Sequence, residues 1–139
     1  MTRVDFHFNA PDKLQYACRL VRKIRRAGQR AVVFGDPLTL AEFDRLLWTF
    51  SQLDFIPHVF ADDALAEHTP VILCSEPTDT PHADNLINLS PTTPGFFSRF
   101  ERLFELVSND ERDRALARER WRFYRDRGYP LTGHQLGAA

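Results

Sequence analysis

Val4-Asp5-Phe6-His7-Phe8 alternates apolar and polar residues, as a half-buried strand does, and Asn9-Ala10-Pro11-Asp12 follows it with turn chemistry and an N-cap. Leu14, Ala17, Cys18, Val21 and Ile24 then recur at intervals of three and four, while Arg19, Arg22, Arg25 and Arg26 occupy other angles. This predicts an amphipathic helix with a basic outer face, stopped by Gly28. Arg30 to Phe34 is an apolar run of strand length ended by Gly35-Asp36-Pro37. Thr39 and Glu42 suit a capping box for a second helix that places Leu40, Phe43, Leu47 and Phe50 on one face.

Asp54 to Phe60 is short, apolar and interrupted by Pro57, which fits an edge strand or extended loop. Val71-Ile72-Leu73-Cys74 and Asn85-Leu86-Ile87-Asn88-Leu89 read as strands separated by a surface loop over Ser75 to Asp84. Thr93-Pro94 resembles a helix start, and Phe96, Phe97, Phe100, Leu103, Phe104 and Val107 keep helical spacing, so a helix is predicted there. A break at Ser108-Asn109-Asp110 precedes an arginine-rich helix to Arg127, ended by Gly128. Strands alternating with helices predict one α/β domain of Rossmann-like type over residues 1–131, with a mostly parallel sheet covered by helices on both faces. Residues 132–139 are expected to form a flexible tail.

Composition narrows the class. With 139 residues, 43% hydrophobic, the chain can bury one core but not two ordinary ones. No apolar run reaches the roughly 18 residues a membrane span needs, and no signal peptide opens the chain, so a cytoplasmic protein is expected. The net charge of −1 disfavours a dedicated nucleic-acid binder. The charge is nonetheless polarised. Seven of the 18 basic residues lie between Lys13 and Arg30 and seven more between Arg112 and Arg127, whereas residues 31–98 hold ten acidic groups against Arg45 alone. Such local positive surfaces suit an acidic partner.

Catalytic signatures are missing. Neither Asn9-Ala10-Pro11-Asp12-Lys13 nor Gly35-Asp36-Pro37-Leu38-Thr39 carries the spaced glycines of a pyrophosphate loop, and no P-loop occurs. No nucleotide cofactor is expected. His7, His58, His68, His82 and His134 form no closely spaced pair and have no cysteine companion, so no metal is expected either. Cys74, at the carboxyl end of a strand, admits a small hydrolase or transferase using His58 or His82 as base, but buried strand cysteines are commoner and no cations surround it in sequence.

Two constellations read as binding surfaces. On a helix starting near Glu111, Arg114, Arg118, Trp121 and Arg125 fall within a stripe about 60° wide, with Leu116, Ala117, Phe123 and Tyr124 toward the other side. Cations around an indole suit an acidic peptide with an aromatic anchor. Equally, the arginines could solvate the helix while Trp121 packs against the preceding helix; spacing leaves both open. The second constellation is Trp48 with Phe55, Pro57 and His58, either a docking patch or core filling.

Val4 to Phe8, Tyr16 to Lys23, Leu47-Trp48-Thr49-Phe50, Phe55-Ile56-Pro57-His58, Leu86 to Leu89 and Arg118-Glu119-Arg120-Trp121-Arg122-Phe123-Tyr124 with Gly128 resemble, in that order, the chi subunit of bacterial DNA polymerase III. The resemblance runs along nearly the whole chain. It implies a non-catalytic clamp-loader accessory with a nucleotide-binding-like fold that binds no nucleotide. It also implies binding of the acidic C-terminal tail of single-stranded-DNA-binding protein, which ends in a phenylalanine with a free carboxylate. Arg114 and Arg118 match the basic positions of that site, and Val107 and Trp121 its apolar wall. The family more often has lysine at position 114 and tyrosine at 121. Trp48, Phe55, Pro57 and His58 match the surface that meets the psi subunit and, in some members, an XPD-like repair helicase. Contact with DNA is implied to be mainly indirect, and the location that of the replisome on the nucleoid.

Overall fold

The computed structural model describes residues 1–50 and 55–136. Seven strands, β1 (Arg3–Ala10), β2 (Ala31–Phe34), β3 (His58–Phe60), β4 (Val71–Cys74), β5 (Asn85–Asn88), β6 (Arg102–Ser108) and β7 (Leu131–Gln135), form one sheet in the order β3-β4-β2-β5-β6-β1-β7. Every pairing is parallel. Helices α1 (Lys13–Arg26) and α2 (Pro37–Phe50) cover one face, and α3 (Glu111–Asp126) covers the other. The Asp54 end of the predicted third strand lies outside the described residues, and its remainder forms β3 at one sheet edge.

Strand alternation divides the core. Ala31 and Val33 meet Val21, Phe43 and Leu47 on the α1–α2 face, while Val32 and Phe34 join Phe6, Ala117 and Tyr124 on the α3 face. Strands buried on both sides must be apolar at nearly every position, which explains the unbroken Ala31–Phe34 and Val71–Cys74 runs.

The same rule corrects the helix predicted from Thr93. Only a short 3-10 turn, Phe97–Arg99, forms there, and Arg102–Ser108 is the strand β6. Leu103 and Val107 turn to the α3 face, Phe104 and Leu106 to the opposite one. A doubly buried strand puts apolar residues at all spacings, including helical ones, so periodicity alone misassigns it. The predicted capping box is also displaced. Asp36, three residues upstream, accepts the Thr39 N–H at 3.0 Å and the Thr39 hydroxyl at 2.9 Å. These bonds hold the Asp36 carboxyl below its ordinary range. Residues 132–135, expected in the loose tail, belong to β7, where Val4 to Phe8 pair with Leu131 to Gln135.

The sheet's organisation locates the natural crevice. From β1 the chain leaves through α1 on one face, and from adjacent β6 through α3 on the other. Ligands of parallel α/β sheets gather where such departures diverge, at the carboxyl ends of the strands. Here the two helix starts are closed by the chain's own acids. Asp12 accepts the Gln15 N–H at 3.1 Å and Asp110 the Asp113 N–H at 3.1 Å. Asp113 accepts the Ser108 N–H at 2.8 Å and pairs with Lys13 at 3.3 Å. Carboxylates therefore stand where a phosphate would bind.

Candidate functional site

The azimuth of α3 is fixed from below. Glu105 on β6 is fully buried and its carboxylate accepts from Asn88 Nδ2 at 2.9 Å, Arg120 Nε at 3.0 Å and the Tyr124 hydroxyl at 2.6 Å. Arg120 Nη1 also donates to the Pro91 carbonyl at 2.8 Å. Burial pushes the Glu105 carboxyl above its ordinary range, opposed chiefly by the Arg120 charge. The Tyr124 hydroxyl is likewise pushed up by burial and by the neighbouring acid. Arg120 and Tyr124, one turn apart, point inward, so the stripe of Arg114, Arg118 and Arg125 points outward.

Arg114 and Arg118 are about half exposed, with side-chain exposures of 54% and 55%. Both approach one acid: Arg118 Nη2 lies 3.5 Å from Glu111 Oε1 and Arg114 Nη1 4.0 Å from Glu111 Oε2. Trp121 is half-buried and packs on β1 rather than on a preceding helix. Its ring centroid lies 5.1 Å from that of Phe6, edge-on, and 5.9 Å from that of Phe8. Its position on the wheel, between the buried and exposed arcs of α3, lets it do this while still lining the surface.

Two adjoining cavities result. One, of about 360 Å³, lies among Phe8, Asn9, Arg114, Arg118 and Gln135. The other, of about 380 Å³, lies among Phe8, Arg118, Trp121, Arg122 and Arg125. Phe8 and Arg118 line both, so a chamber edged by Arg114 and the polar Asn9 and Gln135 opens beside one in which the rings of Phe8 and Trp121 meet Arg122 and Arg125. Of the four sequence-derived residues, Arg114, Arg118 and Trp121 are brought together. Val107 is not at the surface: it is fully buried in the apolar cluster against which Trp121 packs, and so supports the wall from beneath.

Sequence reasoning missed Phe8, Asn9 and Gly133. Phe8 belongs to an alternation already assigned to a strand, and its ring contact with Trp121, at 5.9 Å between centroids, shows that it faces α3. Asn9 carries a positive φ of 65° and bonds through Nδ2 to the Leu136 carbonyl at 3.2 Å, holding the end of β7 against the site. A Cβ on Gly133 would stand 3.2 Å from the Phe8 ring, a tight approach, and at ordinary contact distance, 3.5 Å, from the Trp121 ring, so glycine leaves room for Phe8.

The second constellation assembles at the opposite edge of the sheet. Trp48 and Phe55 are 52% and 66% exposed with ring centroids 5.2 Å apart, and Pro57 beside them is exposed. They form a surface patch rather than core. His58 is buried under Trp48, at 4.7 Å between centroids, and is held by the Ile56 carbonyl at 2.7 Å and Asp44 at 2.9 Å.

The chemistry of Cys74 is that of a core thiol. Burial pushes it up to about 12, and among the described residues no imidazole is hydrogen-bonded to it. No group of three potential metal-ligating side chains is gathered among the described residues, and no helix is long and apolar enough to cross a membrane.

Comparison with known proteins places this architecture. The family model of the DNA polymerase III chi subunit, HolC, matches residues 1–132. The Pseudomonas aeruginosa DNA polymerase III subunit chi is 40% identical over 141 residues, covering 98% of each chain. The subunit chi of Haemophilus influenzae is 29% identical over 125 residues, covering 88% of this chain and 87% of the relative. That of Escherichia coli is 27% identical over 120 residues, covering 85% and 82%. The resemblance read from scattered segments thus extends to full-length relatives, and the chain belongs to the family of DNA polymerase III chi subunits, accessory and non-catalytic components of DNA replication.

Proposed function

We propose that the α3 surface binds the acidic C-terminal tail of single-stranded-DNA-binding protein. One observation carries the reading: Arg118 stands on the wall between a chamber shared with Arg114 and a chamber walled by Phe8 and Trp121. A terminal phenylalanine brings a carboxylate and a ring on one residue, and the two chambers offer partners for each at adjacent positions. Paired guanidinium and carboxylate groups beside an apolar wall are stronger than exposed pairs because water is partly excluded. The Trp48–Phe55–Pro57 patch, with His58 beneath it, is assigned to the psi subunit and through it to the clamp loader. The protein would then act in the cytoplasm as an adaptor at the replisome.

The test is fluorescence polarisation of a labelled acidic tail peptide against the protein and Arg118→Ala. The expected loss is about 2 kcal/mol, roughly thirtyfold, with little change in thermal stability because the side chain is exposed. Removing the terminal phenylalanine should be as damaging. Equal affinities of the two proteins, with wild type clearly binding, would remove Arg118 from the site.

A further inference from the structure

The second basic cluster does not join the first. Helix α1 lies across the sheet from α3, and the starts of the two meet through the Lys13–Asp113 pair. From Lys13 to Arg26, α1 holds six Arg or Lys residues and no acid. Between α1 and the polar faces of β6, β1 and β7 is a cleft of about 530 Å³, whose lining includes His7, Tyr16, Arg19, Lys23, Arg102 and His134.

Its charges are not used alike. Asp5 on the sheet pairs with Arg102 at 2.9 Å and lies 3.3 Å from His134, so the acid nearest the cleft is already neutralised. Arg19 and Lys23 are exposed, and among the described residues neither has a carboxylate within ion-pair distance. They stand one turn apart, about 6 Å along the axis. His7, bonded to the Tyr16 hydroxyl, is lowered to about 4 by burial and by His134, and so adds no charge near neutrality.

From this geometry we infer that the α1 cleft is a second anion-binding site, which takes the sugar-phosphate backbone of single-stranded nucleic acid through Arg19 and Lys23. Repeated cations with no acid between them match a repeating phosphate charge. The aromatic surface is committed elsewhere: Phe104 is buried with Arg102 over its ring at 4.6 Å, and Tyr16 carries Arg19 at 5.8 Å. Bases therefore find no free platform, and binding is weak and independent of sequence. An acidic peptide is the competing occupant, but the α3 chambers offer it a ring-binding wall that this cleft lacks. The inference goes beyond the tail reading and stands or falls separately from it.

The experiment measures anisotropy of a labelled oligothymidylate at a series of low salt concentrations. It compares wild type, Arg19→Ala/Lys23→Ala and Arg114→Ala/Arg118→Ala. Two phosphate contacts predict a log–log salt slope of about −1.4 for wild type. The α1 variant should bind at least tenfold more weakly with a slope near zero, while retaining thermal stability and tail-peptide affinity. The α3 variant should bind the oligonucleotide like wild type. No oligonucleotide binding at low salt, unchanged binding by the α1 variant, or displacement of the oligonucleotide by tail peptide would each overturn the assignment.

Discussion

Replacing Arg120 by methionine removes a buried guanidinium, of which 4% is exposed, and leaves the fully buried Glu105 with Tyr124 and Asn88 as its remaining partners. Breaking a buried pair from one side costs about 3 to 5 kcal/mol, because the surviving charge keeps its desolvation penalty and loses its counterion. Glu105 limits the loss by taking up a proton. Its folded carboxyl already lies above the ordinary value of 4.5 because of burial, and Arg120 is the largest influence holding it down. Without Arg120 it should rise further. An acid whose folded value exceeds its unfolded one binds more protons when folded, so stability falls as pH increases through the interval between the two values. Urea unfolding of wild type and Arg120→Met at pH 5 and pH 8 measures this. The variant should lose about 3 kcal/mol at pH 8 and clearly less at pH 5. Glu105→Gln combined with Arg120→Met should recover much of the loss, since the acid is gone. A single variant that loses under about 1 kcal/mol at pH 8, or loses more at pH 5, would refute this account of the network.

Glu111→Gln should raise tail-peptide affinity two- to threefold by releasing Arg114 and Arg118 from their shared acid, a gain of about 0.5 kcal/mol; polarisation titration would detect it, and weaker binding would show that Glu111 organises the arginines. Trp48→Ala/Phe55→Ala should abolish capture of psi or clamp loader while changing tail affinity by less than twofold and melting temperature only slightly, because both rings are exposed. Joint loss of both interactions and of stability would make the pair structural. Calorimetry with ATP and with NAD should give no heat of binding, since Asp12 and Asp110 occupy the helix starts a phosphate would need.

The sequence was most legible where one face of an element is buried or where turn residues bound a short apolar run. Helix α1 announces itself through its period, the doubly buried runs around Val32 and Leu73 through their short length and the turn residues that bound them, and Gly28 and Gly128 mark helix ends through positive φ values of 75° and 79°. It was least legible at β6, where burial on both faces erases the period, and Glu105 was therefore not recognised as the buried anchor of α3. The site followed the same division. Arg114 and Arg118 lie on one helix and are found by counting turns. Phe8 and Gly133 enter from strands more than a hundred residues apart, paired in parallel, and no local pattern encodes that pairing. Val107 was carried over by resemblance and is covered, because it lies in the buried cluster on which Phe8 and Trp121 pack.

The strand order also sets a length. The Trp48–Phe55 patch adjoins β3 and the Arg118–Trp121 chambers adjoin β1 and β7, at opposite ends of a seven-stranded sheet. Six steps of about 4.8 Å put those ends about 29 Å apart. In the adaptor role proposed above, a rigid spacer of that reach lets a folded protein sit at one end while a few residues of peptide sit at the other, without collision. It also removes linker slack, so a partner held at one end sees its counterpart at a fixed range. In that role the two contacts act in series, so release at either end breaks the bridge and the faster-dissociating end sets its lifetime.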